Sequence, residues 1–245
     1  QCNSEGEWAE VFDAHGNQTN YQYNEEERLT GGDYLAADKS RIKGERFYWG
    51  NASSEQEGNL LSQTWIDKDE NIHRCKTYRY EGKTGNVKTE TLYGNLTGKS
   101  DHFIVMGDNG YPSDANKCDS YSTYFTYSKD GKNLLLSKEE DNKRKETYEY
   151  VSGTNLLKSK LLSHNGKILK RTFCDYNGDG TLIRKSHDDG SHSTQNNLTG
   201  LSEQHISTIT PSTEVCSYGL PLVVEELTLS HNHKKVFQGK TVYTY

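Results

Sequence analysis

Residues 173–182 read FCDYNGDGTL, and their layout decides the fold. Two aromatics, Phe173 and Tyr176, lead into a run of turn formers, Asn177-Gly178-Asp179-Gly180. A strand-like stretch, LIRKS, follows from Leu182. The same order recurs upstream: Tyr148-Glu149-Tyr150 precedes VSGTNLLKSKLL, and Phe125-Thr126-Tyr127 precedes SKDGKNLLLSKEED. Tyr78-Arg79-Tyr80 precedes EGKTGNVKTETL, and Tyr21-Gln22-Tyr23 is a looser copy. The starts at 125, 148 and 173 are 23 and 25 residues apart. A period of this size marks stacked supersecondary units, each unable to bury its own apolar face.

The aromatic spacing has a direct meaning. Residues i and i+2 of a strand point to one face, so Tyr148 and Tyr150 share a side while Glu149 takes the other. The turns read as Asp-Gly and Asn-Gly hairpin signals at Lys129-Asp130-Gly131-Lys132-Asn133, His164-Asn165-Gly166-Lys167 and Asp188-Asp189-Gly190-Ser191; Gly and Asn tolerate the positive φ such turns require. Each unit is expected to be one hairpin with arms of about eight residues. Three stretches break the rhythm: 25–46, 99–123 and the Ser/Thr-rich 191–219, all expected as long loops or insertions. Ser137–Thr147 (SKEEDNKRKET) has charge but no apolar stripe, so it reads as a turn between strands and not as a helix. A short echo falls in the last of these stretches: Asn95-Leu96-Thr97-Gly98 returns as Asn197-Leu198-Thr199-Gly200.

Composition agrees with a thin sheet. Leu, Ile, Val and Phe together number 44 of 245 residues, a fraction that alone would suggest disorder. The 17 Tyr and a net charge of only −6 argue the other way; Tyr suits a half-wet sheet surface, ring covered and hydroxyl reaching out. Three Pro against 22 Gly leave long ladders open. Acidity without basic stripes speaks against nucleic acid. No apolar run approaches the roughly 18 residues of a membrane span. The opening QCNSEGEW has neither an initiator Met nor an apolar signal region, so residue 1 is not expected to be the natural start. The five Cys (2, 75, 118, 174 and 216) are widely spaced without CxxC, which disfavours zinc. They are expected as free, partly buried thiols, with disulfides open if the chain is exported.

The units FCDYNGDGTL (173–182), FTYSKDGKNL (125–134), YEYVSGTNL (148–156) and YRYEGKTGNV (78–87) resemble the YD repeats of the RHS family. The family's Asp after the aromatic is replaced by Ser128, Val151 and Glu81 in the last three. Asp13-Ala14-His15-Gly16-Asn17 supplies its Asp-x-x-Gly-Asn form, and YGNLTGK (93–99) is similar to strings of bacterial members. The resemblance implies an all-β fold: tandem antiparallel β-hairpins forming an extended, curved YD-repeat ribbon or partial shell. It divides the chain into irregular N-terminal repeats with long loops (1–75) and a YD/RHS repeat array (76–245). It further implies a structural segment of a secreted or cell-surface bacterial protein, whose partner would be an encapsulated toxin or effector domain of the same chain. The conserved cleavage core that follows the repeats in full-length members has no counterpart in these residues. The alternative is an adhesion module binding a cell-surface glycan or protein.

No catalytic, cofactor or metal residue is singled out, and an enzyme is not expected. Asp175-x-Asn177-x-Asp179-Gly180 opens like a calcium loop, yet Ser186 stands where a bidentate Glu is wanted, so a plain turn is the better reading. His187, Asp188, Asp189 and His192 form a ligand-rich string that reads as a solvated hairpin tip. His231-x-His233 has no evident third ligand. Neither a nucleophile elbow nor a phosphate-binding Gly loop occurs. Trp8, Trp49 and Trp65 are the candidates for an aromatic binding platform, weighed against a role in filling the sheet. Sequons at Asn17, Asn51, Asn95 and Asn197 matter only in a eukaryotic secretory setting; beside a bacterial resemblance they read as chance.

Overall fold

A computed structural model describes residues 2, 6–51, 54–82, 84–230 and 235–245. Sixteen strands follow one another: β1 (Glu10–Phe12), β2 (Gln18–Tyr23), β3 (Leu29–Leu35), β4 (Arg41–Trp49), β5 (Leu60–Asp67), β6 (Ile72–Tyr80), β7 (Val87–Gly94) and β8 (Asp119–Tyr127). Then come β9 (Leu135–Glu140), β10 (Arg144–Tyr150), β11 (Leu157–His164), β12 (Lys167–Tyr176), β13 (Leu182–Asp188), β14 (Glu203–Pro211), β15 (Pro221–Ser230) and β16 (Lys235–Val242). Sheet order equals chain order in one open antiparallel sheet. This is the tandem-hairpin, all-β architecture expected from the repeats. The chain forms two compact units, Gln1–Tyr124 and Phe125–Tyr245. Among the described residues no helix is long and apolar enough to cross a membrane.

The repeating aromatics close the hairpins. Tyr80 ends β6, and its hydroxyl donates to the Leu60 carbonyl at the start of β5, 2.7 Å away. Tyr150 does the same to Leu135 (2.9 Å), Tyr176 to Leu157 (2.9 Å) and Tyr23 to Trp8 (3.2 Å). Tyr245 donates to Pro221 (2.7 Å), and in β4 the indole N–H of Trp49 takes the role, donating to Leu29 (2.8 Å). At five of these positions the register slips on the other side, toward the next hairpin. The slips fall at Gln22/Tyr23, Tyr48/Trp49, Arg79/Tyr80, Glu149/Tyr150 and Asp175/Tyr176. A bulge leaves one residue unpaired and increases local twist. Each such aromatic thus ties its own hairpin shut and sets the register of the following one.

The turns follow residue chemistry. Asn165 and Gly166 have φ of 50° and 77°, the two successive positive values that a two-residue turn between twisted strands needs. Asp141–Lys143 turns the chain between β9 and β10, so Ser137–Thr147 is two strand ends around a tight turn. Two loop expectations fail. Residues 25–46 hold β3 and much of β4, and 191–219 holds β14. Their Gly and Ser misled: Gly44 lies opposite Asp33 in β3–β4 pairing, where a Cβ would sit 2.8 Å from the Asp33 carboxylate. Glycine there makes room for a charge inside a strand pair. Residues 99–123 are largely loop, as expected, until β8 begins at Asp119.

Candidate functional site

Each unit carries one long connection folded onto its own sheet, and the chemistry gathers there. In the first unit it runs from 95 to 118, between β7 and β8. The face it covers is small and polar: Ser62 and Thr64 of β5, Cys75 and Thr77 of β6, Thr91 of β7 and Ser122 of β8 are all buried. Register explains the grouping, since Ser62 pairs Thr77, Thr64 pairs Cys75, Thr77 pairs Thr91 and Thr91 pairs Ser122. Small side chains let loop backbone approach closely. Ser62 Oγ donates to Gly110 O (2.7 Å), Ile104 N to Ile72 O (2.9 Å) and Tyr111 Oη to Tyr78 O (3.0 Å). Arg79 lies 4.5 Å over the Tyr111 ring, and Phe103 meets His73 edge-on at 5.1 Å. Gly110, at φ +75°, presses against Leu61 and Tyr48, where a Cβ would meet atoms at 3.2 and 3.3 Å.

Within this loop His102, Asp114 and Cys118 each place one ligand-type atom within 4.8 Å of the others. Asp114 is buried, accepts the Val105 N–H at 3.0 Å and is hydrogen-bonded to His102 Nε2. Burial pushes its carboxyl up, but the bonds from His102 and Val105 outweigh that and hold it below the ordinary range. Burial and the Asp114 and Asp119 charges push the Cys118 thiol up, which argues against a nucleophilic thiolate. Neighbouring Cys75, 3.8 Å from Met106 Sδ, is pushed by burial to about 12. Sequence reasoning missed this trio, because the 12- and 4-residue spacings match no local motif; only the fold of the loop joins them.

Beside the loop lies a hollow of about 400 Å³ lined by Phe47, Trp49, Leu61, Asn24, Asn51 and Asp108 among others. Trp49, a sequence candidate for a binding platform, therefore serves both the sheet and this hollow; Arg28 stacks 6.0 Å from its ring. Trp65 lines a different hollow with Ile42 and His73, and Trp8 is exposed.

The second unit anchors its connection, 189–202, through one buried ion pair. Arg171 (β12) and Asp188 (β13) face each other in register with fully buried side chains, and Nε lies 2.6 Å from Oδ1. Arg171 Nη1 donates to the carbonyls of His192, Thr194 and Asn197 at 2.6, 2.9 and 2.9 Å. Gln204, next in the row on β14, donates to Asp188 at 2.7 Å. Gly190 is glycine because the guanidinium lies against it: a Cβ would sit 2.4 Å from Nη2. Asp188-Asp189-Gly190-Ser191 is accordingly not a tight hairpin tip, a correction to the sequence reading.

The remaining candidates disperse. His187 points to the opposite face from Asp188 and stacks on His205 at 5.0 Å, and His192 is hydrogen-bonded to Thr194. In the calcium-like string, Asn177 caps its own turn through Asp179 N and Thr181 N, Asp175 faces Arg184 at 3.4 Å, and Asp179 accepts Tyr218 Oη. These oxygens make turns and pairs. His231 and His233 lie outside the described residues. All five cysteines are free thiols.

No family model matches the sequence, and no curated protein matches it. Among solved structures, the chain is similar to TcdB2-TccC3 without its hypervariable C-terminal region (15% identity, TM-score 0.44, 95% of this chain and 12% of that one). The Photorhabdus luminescens Tc holotoxin pore gives 15% identity and a TM-score of 0.39 over 95% of this chain and 12% of that one. A porin-like protein from Bacteroides uniformis gives 12% and 0.36, over 96% of this chain and 94% of that one. The chain thus spans about an eighth of the first two.

Proposed function

We propose that this chain is a wall segment: hairpins of a β-shell that encloses or presents a toxin or effector domain of a longer secreted or surface protein, with no catalysis of its own. The observation that carries the proposal is the repeated aromatic closure. Five hairpins, β1–β2, β3–β4, β5–β6, β9–β10 and β11–β12, are each sealed by a Tyr or Trp at which the register of the next pairing slips, so the sheet is built to extend by adding hairpins. The likeness of these units to YD repeats supports the same reading. Sheet ends present unpaired backbone groups to any further strand, and the last strand, β16, keeps Phe237 and Val242 exposed. Expressed alone, the chain self-associates through these edges, seen as concentration-dependent mass in analytical ultracentrifugation. A monomer at all concentrations, with a sharp reversible melt, contradicts the proposal. Protease treatment of the full gene product tests enclosure: a cargo domain inside the wall resists cleavage until the wall is unfolded, whereas immediate cleavage counts against enclosure.

The hollow beside Trp49 favours a second reading, an adhesion surface for glycans, because an aromatic ring flanked by Asn24, Asn51 and Asp108 offers stacking and hydrogen bonding together. A glycan-array signal lost in Trp49→Ala supports it; a silent array rejects it.

A further inference from the structure

We propose that His102, Asp114 and Cys118 form a binding site for a divalent transition metal of zinc type, which ties the two ends of the β7–β8 connection together. The proposal stands apart from the wall reading and needs none of it.

The donor set is chemically matched. Zinc takes thiolate sulfur, imidazole nitrogen and carboxylate oxygen, at about 2.0–2.3 Å. Donor atoms around one such ion lie roughly 3–4 Å apart by that geometry, and the present ones are within 4.8 Å before any ion draws them in. Placement is as telling as identity. His102 stands two residues before Ile104, which bonds to β6, and Cys118 directly precedes β8. One ion would therefore join the beginning of the loop to its end. Asp114 is held by Val105 N–H, the kind of backing bond that orients a metal-binding carboxylate. The site is walled rather than open: Asp114 is buried and His102 and Cys118 are half-buried. Among the described residues no Lys or Arg pairs with Asp114; its side-chain partner is the His102 ring.

Binding balances simply. The Cys118 thiol proton leaves to solvent. Neutral His102 shifts its ring hydrogen from Nε2 to Nδ1 by exchange with water, freeing the Nε2 lone pair, and the metal replaces the hydrogen bond to Asp114. Three protein ligands leave one position for water.

The test is cobalt(II) titration of the purified, reduced chain. The expected result is one equivalent bound, with tetrahedral ligand-field bands in the visible and a thiolate charge-transfer band in the near ultraviolet, all displaced by zinc. Cys118→Ser removes the charge-transfer band, and Cys118→Ser and His102→Gln each weaken affinity at least about 10- to 100-fold, a loss that even outer-shell changes can bring. Cys216→Ser, at an exposed thiol in the other unit, keeps the spectrum. Circular dichroism of each variant without metal shows that the sheet is intact, so loss of binding is not loss of fold. Absence of a thiolate band in the parent chain overturns the proposal, as does a band that survives Cys118→Ser.

Discussion

The two docked connections, 95–118 and 189–202, solve one problem in opposite ways. Both carry the Asn-Leu-Thr-Gly string, and both lay polar backbone on a sheet face. In the first, no single side chain dominates. Thr97 is tied to Asp119 by its N–H and hydroxyl, Tyr111 reaches Tyr78, and Ser62 reaches Gly110, all over a floor of Ser, Thr and Cys. In the second, one guanidinium gathers three carbonyls and a carboxylate in full burial. The two connections are therefore fragile in different places. Dispersed contacts fail singly at small cost, whereas a buried charge stripped of its partner is destabilising by several kcal/mol.

The largest expected effect therefore belongs to Arg171. Arg171→Met leaves Asp188 buried without its cation and is expected to destabilise the second unit by about 3–5 kcal/mol. Amide exchange should accelerate at 189–202 and in β12–β14 while 95–118 stays protected. Arg171→Met with Asp188→Leu is expected to recover much of the loss, since apolar replacement of a buried pair is often neutral. Equal exchange changes in both loops would show that Arg171 does not anchor 189–202 separately from 95–118. Next comes Gly190→Ala, where the new Cβ displaces the guanidinium at an expected cost of about 1–3 kcal/mol, read by denaturant unfolding. Gly190→Ala without effect would mean that the guanidinium is free to move.

Smaller effects sharpen the contrast. Tyr111→Phe loses one hydrogen bond, about 0.5–1.5 kcal/mol, and the 95–118 loop should remain docked by amide exchange. Tyr150→Phe removes one hairpin closure at similar cost, its effect confined to β9–β11. The smallest concerns acid. Burial pushes the Glu146 carboxyl up, but Tyr148 (2.6 Å) and Lys160 (2.9 Å) outweigh this and hold it below its ordinary value. A depressed carboxylate contributes stability that is complete above the unfolded value, about 4.3, and lost as pH falls through the lower folded one. Glu146→Gln should flatten that part of the acid unfolding curve; an unchanged curve would remove Glu146 from the account.

Much of the sheet was legible because period and turn chemistry act locally. The Tyr-x-Tyr units sit where second strands end, and Asn165-Gly166 turns as its residues require. What stayed hidden depends on distance. Gly190 reads like a turn glycine, yet its reason is Arg171, 19 positions away. Gly44 reads like a loop glycine, yet it clears space for Asp33 inside a strand pair. His102, Asp114 and Cys118 are unremarkable until the loop folds. The role of the aromatics was half legible: their shared face follows from spacing, but the hydroxyl bond back to the hairpin's first carbonyl does not.

Electron cryomicroscopy of the full gene product shows whether these hairpins stand in a wall. The expected result is β1–β16 as consecutive hairpins in one wall, with a further strand paired to the outer edge of β16 and cargo density against one face. A structure with these residues as a free-standing domain, both sheet edges in solvent and no enclosed chain, would contradict it.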